Sequence, residues 1–483
     1  MPPMESLGGG SNDRDAPGSV RFVTFGCKAN QYDTQVLREA LGRRGLEETG
    51  PGADLVVVNT CTVTAEAGRK ARQLIRRIGR ETPEARVAVT GCLAESEPEI
   101  LREIPNVEWV LGNGEAKRPV NFLRQIGQEV GPEELGIPAG ITEFAGHRRA
   151  FLKIQDGCDK RCAFCIIPHV RGRSTSRPAE ELAAEVERLV ASGHVEIVLC
   201  GIHIGHWGLD IDSSFSALLQ RLVKVEATGP DGAPVEWRLR VSSIEATEVD
   251  DDMVSLMAER PDRIAPHLHM PMQSGADPVL KAMNRWYTVG EYLEACHRIR
   301  ARLDRPAFTA DILVGFPGET DADFERTLAT AEEAGFTKVH VFPFSPRPGT
   351  AAASMGSRVP PEASRARRAA LSEAASGWEE AFRRELHGAR DRVVLEGFVG
   401  LSGRYQRVSV DPDHIAGVPP DALDVTLECT VETAADGREV SRLRGRPLGV
   451  AGPTRDTGPL VLGRSVGDVR APGSSERPAE VSK

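Results

Sequence analysis

The chain reads as an α/β protein, and two patterns predict it. Short β-branched runs alternate with helical stretches from about residue 20 to residue 350, and a cluster of short alternating strands follows after residue 388. Strands alternating with helices make parallel sheets with right-handed crossovers, while isolated alternating strands make a small antiparallel or barrel domain. With 483 residues there is ample core for several domains.

The first runs are Val20–Phe25, Asp54–Val58 and Arg86–Val89, and each is followed within three residues by a cysteine, Cys27, Cys61 and Cys92. Between them, Val36, Leu37 and Leu41, then Ala71, Leu74, Ile75 and Ile78, recur at helical intervals. In a parallel sheet all strands end on one edge, where ligands bind. The three thiols are therefore expected to converge although more than thirty residues separate each from the next. Free cysteines are often small buried hydrophobes, but three at the same point of successive βα units point to a metal cluster with three protein ligands.

Residues 150–350 supply six further βα units, with strands expected at Phe151–Ile154, Val195–Leu199, Trp237–Val241, His267–Met270, Thr309–Val314 and Lys338–Phe342. Helices are expected over Ala179–Ala191, Asp250–Arg260 and Asp321–Ala334. Six such units form an open partial barrel whose functional edge is the strand carboxyl ends. Directly after the first strand comes Cys158-Asp159-Lys160-Arg161-Cys162-Ala163-Phe164-Cys165. A structural zinc site is closed by four ligands, and most iron–sulfur clusters take four cysteines. Three thiols in one tight loop suggest a [4Fe–4S] cluster with one open iron, against a redox or zinc loop as the plainer reading. The other strand ends carry Gly201–Gly205, Ser242–Glu245, Gln273–Gly275 and Gly315–Glu319, which line one rim. His267 and His269 share a strand face and either line the site or pack the barrel; Asp311 faces the rim or a buried partner. Cys296 and Cys429, which have no cysteine neighbours, read as core residues.

Composition limits the function classes. Nine cysteines, with no apolar leader, point to a reducing, cytoplasmic setting, and no run is long enough to span a membrane. The formal net charge of −10 means that any nucleic-acid contact rests on local patches. Two stand out. Arg69, Lys70, Arg72, Arg76, Arg77 and Arg80 crowd one helix, most simply as a solvated face, and Arg171, Arg173 and Arg177 follow the cysteine loop, where phosphate contact is the expectation.

These motifs resemble the methylthiotransferase family of radical S-adenosylmethionine (SAM) enzymes over about residues 20–450. The likeness rests on Gly26-Cys27-Lys28-Ala29-Asn30, Asn59-Thr60-Cys61-Thr62-Val63-Thr64, Thr90-Gly91-Cys92 and the Cys158, Cys162, Cys165 loop. It implies a Rossmann-like amino-terminal domain (19–130), a linker (131–147), a partial (β/α)6 radical SAM barrel (148–360), a helical connector (361–387) and a small, degenerate TRAM-like β-barrel (388–450). The tails 1–18 and 451–483 are expected to be disordered. It further implies two [4Fe–4S] clusters, one on Cys27, Cys61 and Cys92, the other on Cys158, Cys162 and Cys165. SAM would bind the second, with Phe164, Gly201, Glu245, Gln273 and Gly315 around it; His203 and Cys200 stand where relatives more often show Asn and Thr.

Asn59–Thr64 together with His340–Thr350 resembles the branch that methylthiolates N6-threonylcarbamoyladenosine (t6A) at position 37 of tRNA. Its mechanism would be a 5′-deoxyadenosyl radical opening the C–H bond at adenine C2, with sulfur delivered from the auxiliary cluster. The implied partners are tRNA at the anticodon loop, a cytosolic electron donor such as flavodoxin or ferredoxin, a sulfur donor, and no membrane. Competing readings are a methylthiotransferase acting on isopentenyladenosine tRNA or a ribosomal protein, a radical SAM enzyme with an electron-transfer cluster, in which Cys200 is a candidate fourth ligand, and a non-catalytic RNA-binding protein with structural metals. Residues 388–450 hold more acidic than basic side chains, which weakens the case for tRNA affinity there.

Overall fold

The computed structural model describes residues 17–131, 140–144, 146–229, 232–415, 422–433 and 439–448; the expectations for the two tails lie outside them, save Pro17 and Gly18. The amino-terminal part is a parallel sheet of β1 (Ser19–Thr24), β2 (Glu47–Glu48), β3 (Leu55–Thr60), β4 (Arg86–Gly91) and β5 (Val107–Leu111), in the order β2-β1-β3-β4-β5. Every residue of β3 is buried, as a central parallel strand covered on both faces requires. The Lys28–Arg43 and Ala65–Glu81 helices cover it; the second starts at Thr64, whose hydroxyl accepts from the Ala67 N–H at 3.2 Å.

The barrel strands are β6 (Arg149–Lys153), β9 (Glu196–Cys200), β10 (Arg238–Val241), β11 (His267–His269), β12 (Ala307–Val314) and β13 (Lys338–Pro343), with a two-stranded ribbon of β7 (Gln155–Asp156) and β8 (Thr175–Ser176) beside the cysteine loop. All six expected strands are present and parallel. The sheet is interrupted between β10 and β11, which touch only through the single bridges Leu239–Ile264 and Ser243–His269. Pro266 and Pro271 flank β11 and cannot donate to a ladder, which shortens it from the expected His267–Met270. The helices Asp321–Ala334 and Val289–Arg300 begin in full capping boxes, Thr320 with Asp323 and Thr288 with Glu291. One continuous core, including Leu152, Ile197, Leu239, Leu268, Phe308 and Ile312, fills the space between strands and outer helices. Ile141 and Phe144 of the expected linker are buried in it too.

The Pro361–Glu385 helix leads into a closed five-stranded barrel of β14 (Arg390–Glu396), β15 (Val399–Ser402), β16 (Arg407–Val410), β17 (Ala422–Thr433) and β18 (Glu439–Pro447), ordered β14-β15-β16-β18-β17. The third of these strands starts only at Arg407, because Tyr405 takes φ +60° in a tight turn just before it. That turn docks on the larger barrel. Arg240 donates to the Ser402 and Gly403 carbonyls, both at 2.9 Å, and Arg238 to the Arg392 carbonyl at 2.8 Å. Both guanidiniums pair with Glu196; burial works to raise its carboxyl, but the two arginines bring it down to about 2. The turn thereby carries Tyr405 onto His267, with ring centroids 4.4 Å apart and nearly parallel.

Two cysteine triads at a shared cleft

The Cys158 loop is held from beneath by Gln155. Its side-chain oxygen accepts from the Ile202 and His203 N–H groups at 3.1 and 2.9 Å, and its amide nitrogen donates to the Gly157 carbonyl at 2.7 Å. One buried side chain thus ties the loop after β6 to the turn after β9. Gly157 has φ +72°, and a Cβ there would fall 1.9 Å from the Arg173 carbonyl oxygen, so this position admits only glycine. Gly201 packs as closely, its missing Cβ 2.8 Å from the Gln155 carbonyl oxygen.

Cys158, Cys162 and Cys165 line one small cavity of about 160 Å³ together with Phe164, Ile202, His203, Glu245 and Gln273. Of the residues expected around SAM, Phe164, Glu245 and Gln273 come together here; Gly201 and Gly315 are not in the lining. Gly315 instead lets its strand end pass the Ser364 side chain, with φ +76°. Phe164 meets Phe316 edge to face.

Charge around the thiols is arranged rather than diffuse. Arg285 donates to the Cys162 sulfur at 3.3 Å and pairs with Glu245 while lying over the Trp286 ring. Burial raises the Glu245 carboxyl despite that pairing. His203 Nδ1 lies 3.5 Å from the Cys158 sulfur, and its Nε2 lies 2.8 and 2.9 Å from the two Glu248 oxygens. Burial opposes ionisation of Glu248, yet hydrogen bonds from His203 and His206 hold it near 2. Burial pushes the Cys165 thiol up to about 12. Burial alone would keep these half-buried thiols protonated, and a bound metal cluster, which takes thiolates, is what would draw their protons off. The Nε of Arg285 is buried without a partner, which fits a group that is bound here.

The second triad assembles at the ends of the amino-terminal strands. Cys27 caps the Lys28–Arg43 helix, Cys61 follows β3 and Cys92 opens the Cys92–Ser96 helix after Gly91, whose φ is +93°. A Cβ on Gly26 would lie 2.8 Å from the Cys61 Cβ, so the loop before Cys27 can approach only as glycine. The Val63 N–H faces the Cys61 sulfur at 3.5 Å, and Arg171 donates from Nε to the Cys92 sulfur at 3.4 Å. Burial lifts the Cys61 thiol to about 11. Arg347, buried with its Nη2 unpartnered, donates from Nε to the Val63 carbonyl at 3.3 Å. The two segments that carried the branch resemblance are therefore in contact, and these donors suit a thiolate-bound cluster.

Arg171 joins the triads. Beyond Cys92 it pairs with Asp156, two residues before Cys158, at 2.8 Å and reaches Asp33 at 3.4 Å. Asp33 also receives Lys117 at 2.7 Å and Lys153. Burial would raise its carboxyl, but the three cations hold it far below the usual carboxylate range. This corrects the expectation of phosphate contact: the side chain of Arg171 is 1% exposed, and Arg177 is committed to Glu185 and Tyr32. Arg173 alone of the three is exposed. On the Ala65–Glu81 helix, Arg69 and Lys70 pair with Glu66, Arg72 with Glu97 and Arg77 with Glu81, which agrees with a solvated face.

A larger cavity of about 430 Å³ is lined by Gly26 and Lys28, which flank Cys27, and by the barrel residues Val198, Arg240, Val241, Ser242, His267, His269, Thr309, Asp311, His340 and Phe342, with Tyr405 of the small barrel. His267, His269 and Asp311 thus face the site. Consecutive residues Ser242 and Ser243 line the larger and the smaller cavity, so the two adjoin at the end of β10. Cys200 is fully buried, with Cys27 and Lys28 among its neighbours, and burial raises its thiol. Cys296 lies in the barrel core and Cys429 packs partly buried against the small barrel. No described helix is long and apolar enough to cross a membrane.

Residues 19–112 match the Uncharacterized protein family UPF0004, and residues 152–331 match the Radical SAM superfamily. A Thermotoga maritima protein named threonylcarbamoyladenosine tRNA methylthiotransferase MtaB is 37% identical over 82% of this chain and 91% of its own length. Its Bacillus subtilis namesake is 40% identical over 71% of this chain and 76% of its own. An Erythrobacter litoralis protein named tRNA-2-methylthio-N(6)-dimethylallyladenosine synthase is 35% identical over 85% of this chain and 95% of its own. Among solved structures, the radical S-adenosylmethionine methyltransferase TsrM from Kitasatospora setae, with tryptophan and aza-SAM bound, superposes with a TM-score of 0.51 at 18% identity, covering 70% of this chain and 75% of that one. That likeness speaks to fold alone. The sequence relatives, 35–40% identical over 71–85% of this chain, are decisive: the chain belongs to the radical SAM methylthiotransferase family.

Proposed function

We propose that this chain converts t6A at position 37 of tRNA to its 2-methylthio derivative. The observation that carries the reading is the pair of cysteine triads joined through Arg171, with a neighbouring cavity whose lining includes Lys28, Asp311 and three histidines. A polar arm such as threonylcarbamoyl suits that lining, whereas an isopentenyl arm would leave its buried polar groups unpaired. The name shared by the Thermotoga and Bacillus relatives supports the same substrate.

When bound, two [4Fe–4S] clusters and SAM supply the radical that opens the adenine C2–H bond and the sulfur that replaces the hydrogen. The chain's own residues do the positioning. Cys158, Cys162 and Cys165 would hold one cluster, and Cys27, Cys61 and Cys92 the other. Phe164, Glu245 and Gln273 would form the wall of the SAM site, with Gly201 and Gly315 shaping the turns at their strand ends. Arg285 fixes Glu245 and the Cys162 sulfur together, and Arg171 fixes the spacing between the cluster sites. A cytosolic reductant of the flavodoxin or ferredoxin class and a sulfur donor complete the reaction in the cytoplasm.

The test is an anaerobic assay of the reconstituted full-length chain with SAM, dithionite and an anticodon stem-loop bearing t6A. Mass spectrometry of the digested RNA should show the methylthio nucleoside. Product from an isopentenyladenosine loop, with none from the t6A loop, would overturn the assignment.

A further inference from the structure

The larger cavity carries an ordered line of hydrogen-bonding groups that neither cysteine triad uses. Thr309 Oγ1 lies 3.0 Å from His267 Nε2 and 2.9 Å from His269 Nδ1, and His269 Nε2 lies 3.4 Å from Asp311 Oδ1. A hydroxyl has one proton, so Thr309 donates to one ring and accepts from the other. Burial would raise the Asp311 carboxyl, but His269 beside it keeps it below its ordinary value, so the proton facing it sits on His269 Nε2. In the neutral ring Nδ1 is then bare and takes the Thr309 proton, while the Thr309 oxygen accepts from His267 Nε2–H. The line ends at His267 Nδ1, a bare acceptor. His267 is 3% exposed, its Nδ1 has no partner, and its ring is stacked on Tyr405. An unsatisfied buried acceptor on a cavity wall calls for a ligand donor.

Lys28 is exposed and lines the same cavity. Among the described residues it has no ion pair or hydrogen bond. It is the first residue of a sixteen-residue helix with no acidic side chain in its first turn. A lysine there works against the helix dipole, and lysine and dipole together favour an anion.

We propose that this cavity recognises the amino-acid arm of the substrate nucleoside, with Lys28 taking its carboxylate and His267 Nδ1 accepting from its hydroxyl or ureido N–H. The inference rests on the t6A reading above and adds the residues that enforce it. An arm without a carboxylate leaves Lys28 and His267 unpaired, which is how a polar pocket rejects an apolar analogue.

The test is anaerobic equilibrium binding of the reconstituted full-length chain to fluorescent anticodon stem-loops carrying t6A, isopentenyladenosine or adenosine. The wild-type chain should prefer the t6A loop. Lys28→Gln should weaken t6A binding about tenfold, as loss of one charge-assisted contact does, and leave the adenosine loop within about twofold, below the scale of one such contact. His267→Phe, which keeps the stack on Tyr405, should reduce the same preference. Iron content checks that Cys27, next to Lys28, still holds its cluster. Equal weakening of both loops by Lys28→Gln would make it a general phosphate contact and overturn the inference, as would an unchanged preference in both variants. Absence of any preference in the wild-type chain would instead defeat the t6A reading itself.

Discussion

Asp33→Asn removes one negative charge and almost no volume, and its effect follows from the surroundings. Asp33 and Asp156 are the carboxylates facing Lys117, Lys153 and Arg171. Lys117 and Asp33, 2.7 Å apart, have side chains 8% and 5% exposed, so neither charge is rescued by water. Breaking a buried pair by deleting one partner costs about 3–5 kcal/mol. The asparagine still accepts one hydrogen bond, which places the loss near the lower end, about 3 kcal/mol. At about 4 °C per kcal/mol for a domain of little over 100 residues, the melting midpoint of the amino-terminal part falls by about 12 °C.

The pH dependence has a definite sign. Burial already lowers the Lys117 pKa against the pull of Asp33, and losing Asp33 lowers it further. A base with a depressed folded-state pKa binds its proton better when unfolded, so stability rises with pH across the interval between its folded and unfolded values. The deficit of Asp33→Asn should therefore shrink between pH 7 and pH 9. Differential scanning fluorimetry across that range, with and without Lys117→Met, measures it; the double variant should recover part of the loss. A variant within about 1 kcal/mol of wild type at pH 7, or a deficit that grows with pH, would refute the buried-hub argument.

Other substitutions test the remaining parts. Cys158→Ala should abolish cleavage of SAM to 5′-deoxyadenosine, while Cys61→Ala should keep cleavage and lose methylthio product, both read by chromatography of one reaction. Gly157→Ala should leave the chain folded by circular dichroism but deprive the Cys158 site of iron, because a Cβ 1.9 Å from the Arg173 carbonyl forces the loop to move. Tyr405→Ala should lower the melting midpoint through loss of the stack on His267 and the contact with Arg240, at about 1–2 kcal/mol; no change would mean that the small barrel's turn does not support the cavity.

Much of the architecture was legible because it is periodic. Runs such as Leu55–Val58, buried throughout, and capping residues such as Thr320 announce themselves locally. That Cys158, Cys162 and Cys165 share one cavity was legible from their spacing, and that Cys27, Cys61 and Cys92 lie at strand ends of one sheet from the β-branched run before each. Arg171 and Arg177 misled, since a basic run near a cluster reads as a phosphate site unless its acidic partners are known. Those partners, Asp33 and Glu185, come from a helix of another domain and from a later helix of the barrel. Glu248, Arg285 and Lys117 were missed because each acts on a residue more than forty positions away. Lys28 had a signal in its place beside Cys27. The β18 strand, which closes the small barrel by running parallel to β16, has no turn signature that would have paired the two.

The most direct test of the account is the nucleoside profile of tRNA from cells that lack this chain, complemented with wild type, Cys158→Ala or Cys61→Ala. In the cells that lack the chain, 2-methylthio-t6A should disappear while t6A accumulates, and only the wild-type chain should restore it. Restoration by either cysteine variant, or a profile unchanged by the deletion, would contradict the claim that both triads serve one adenine.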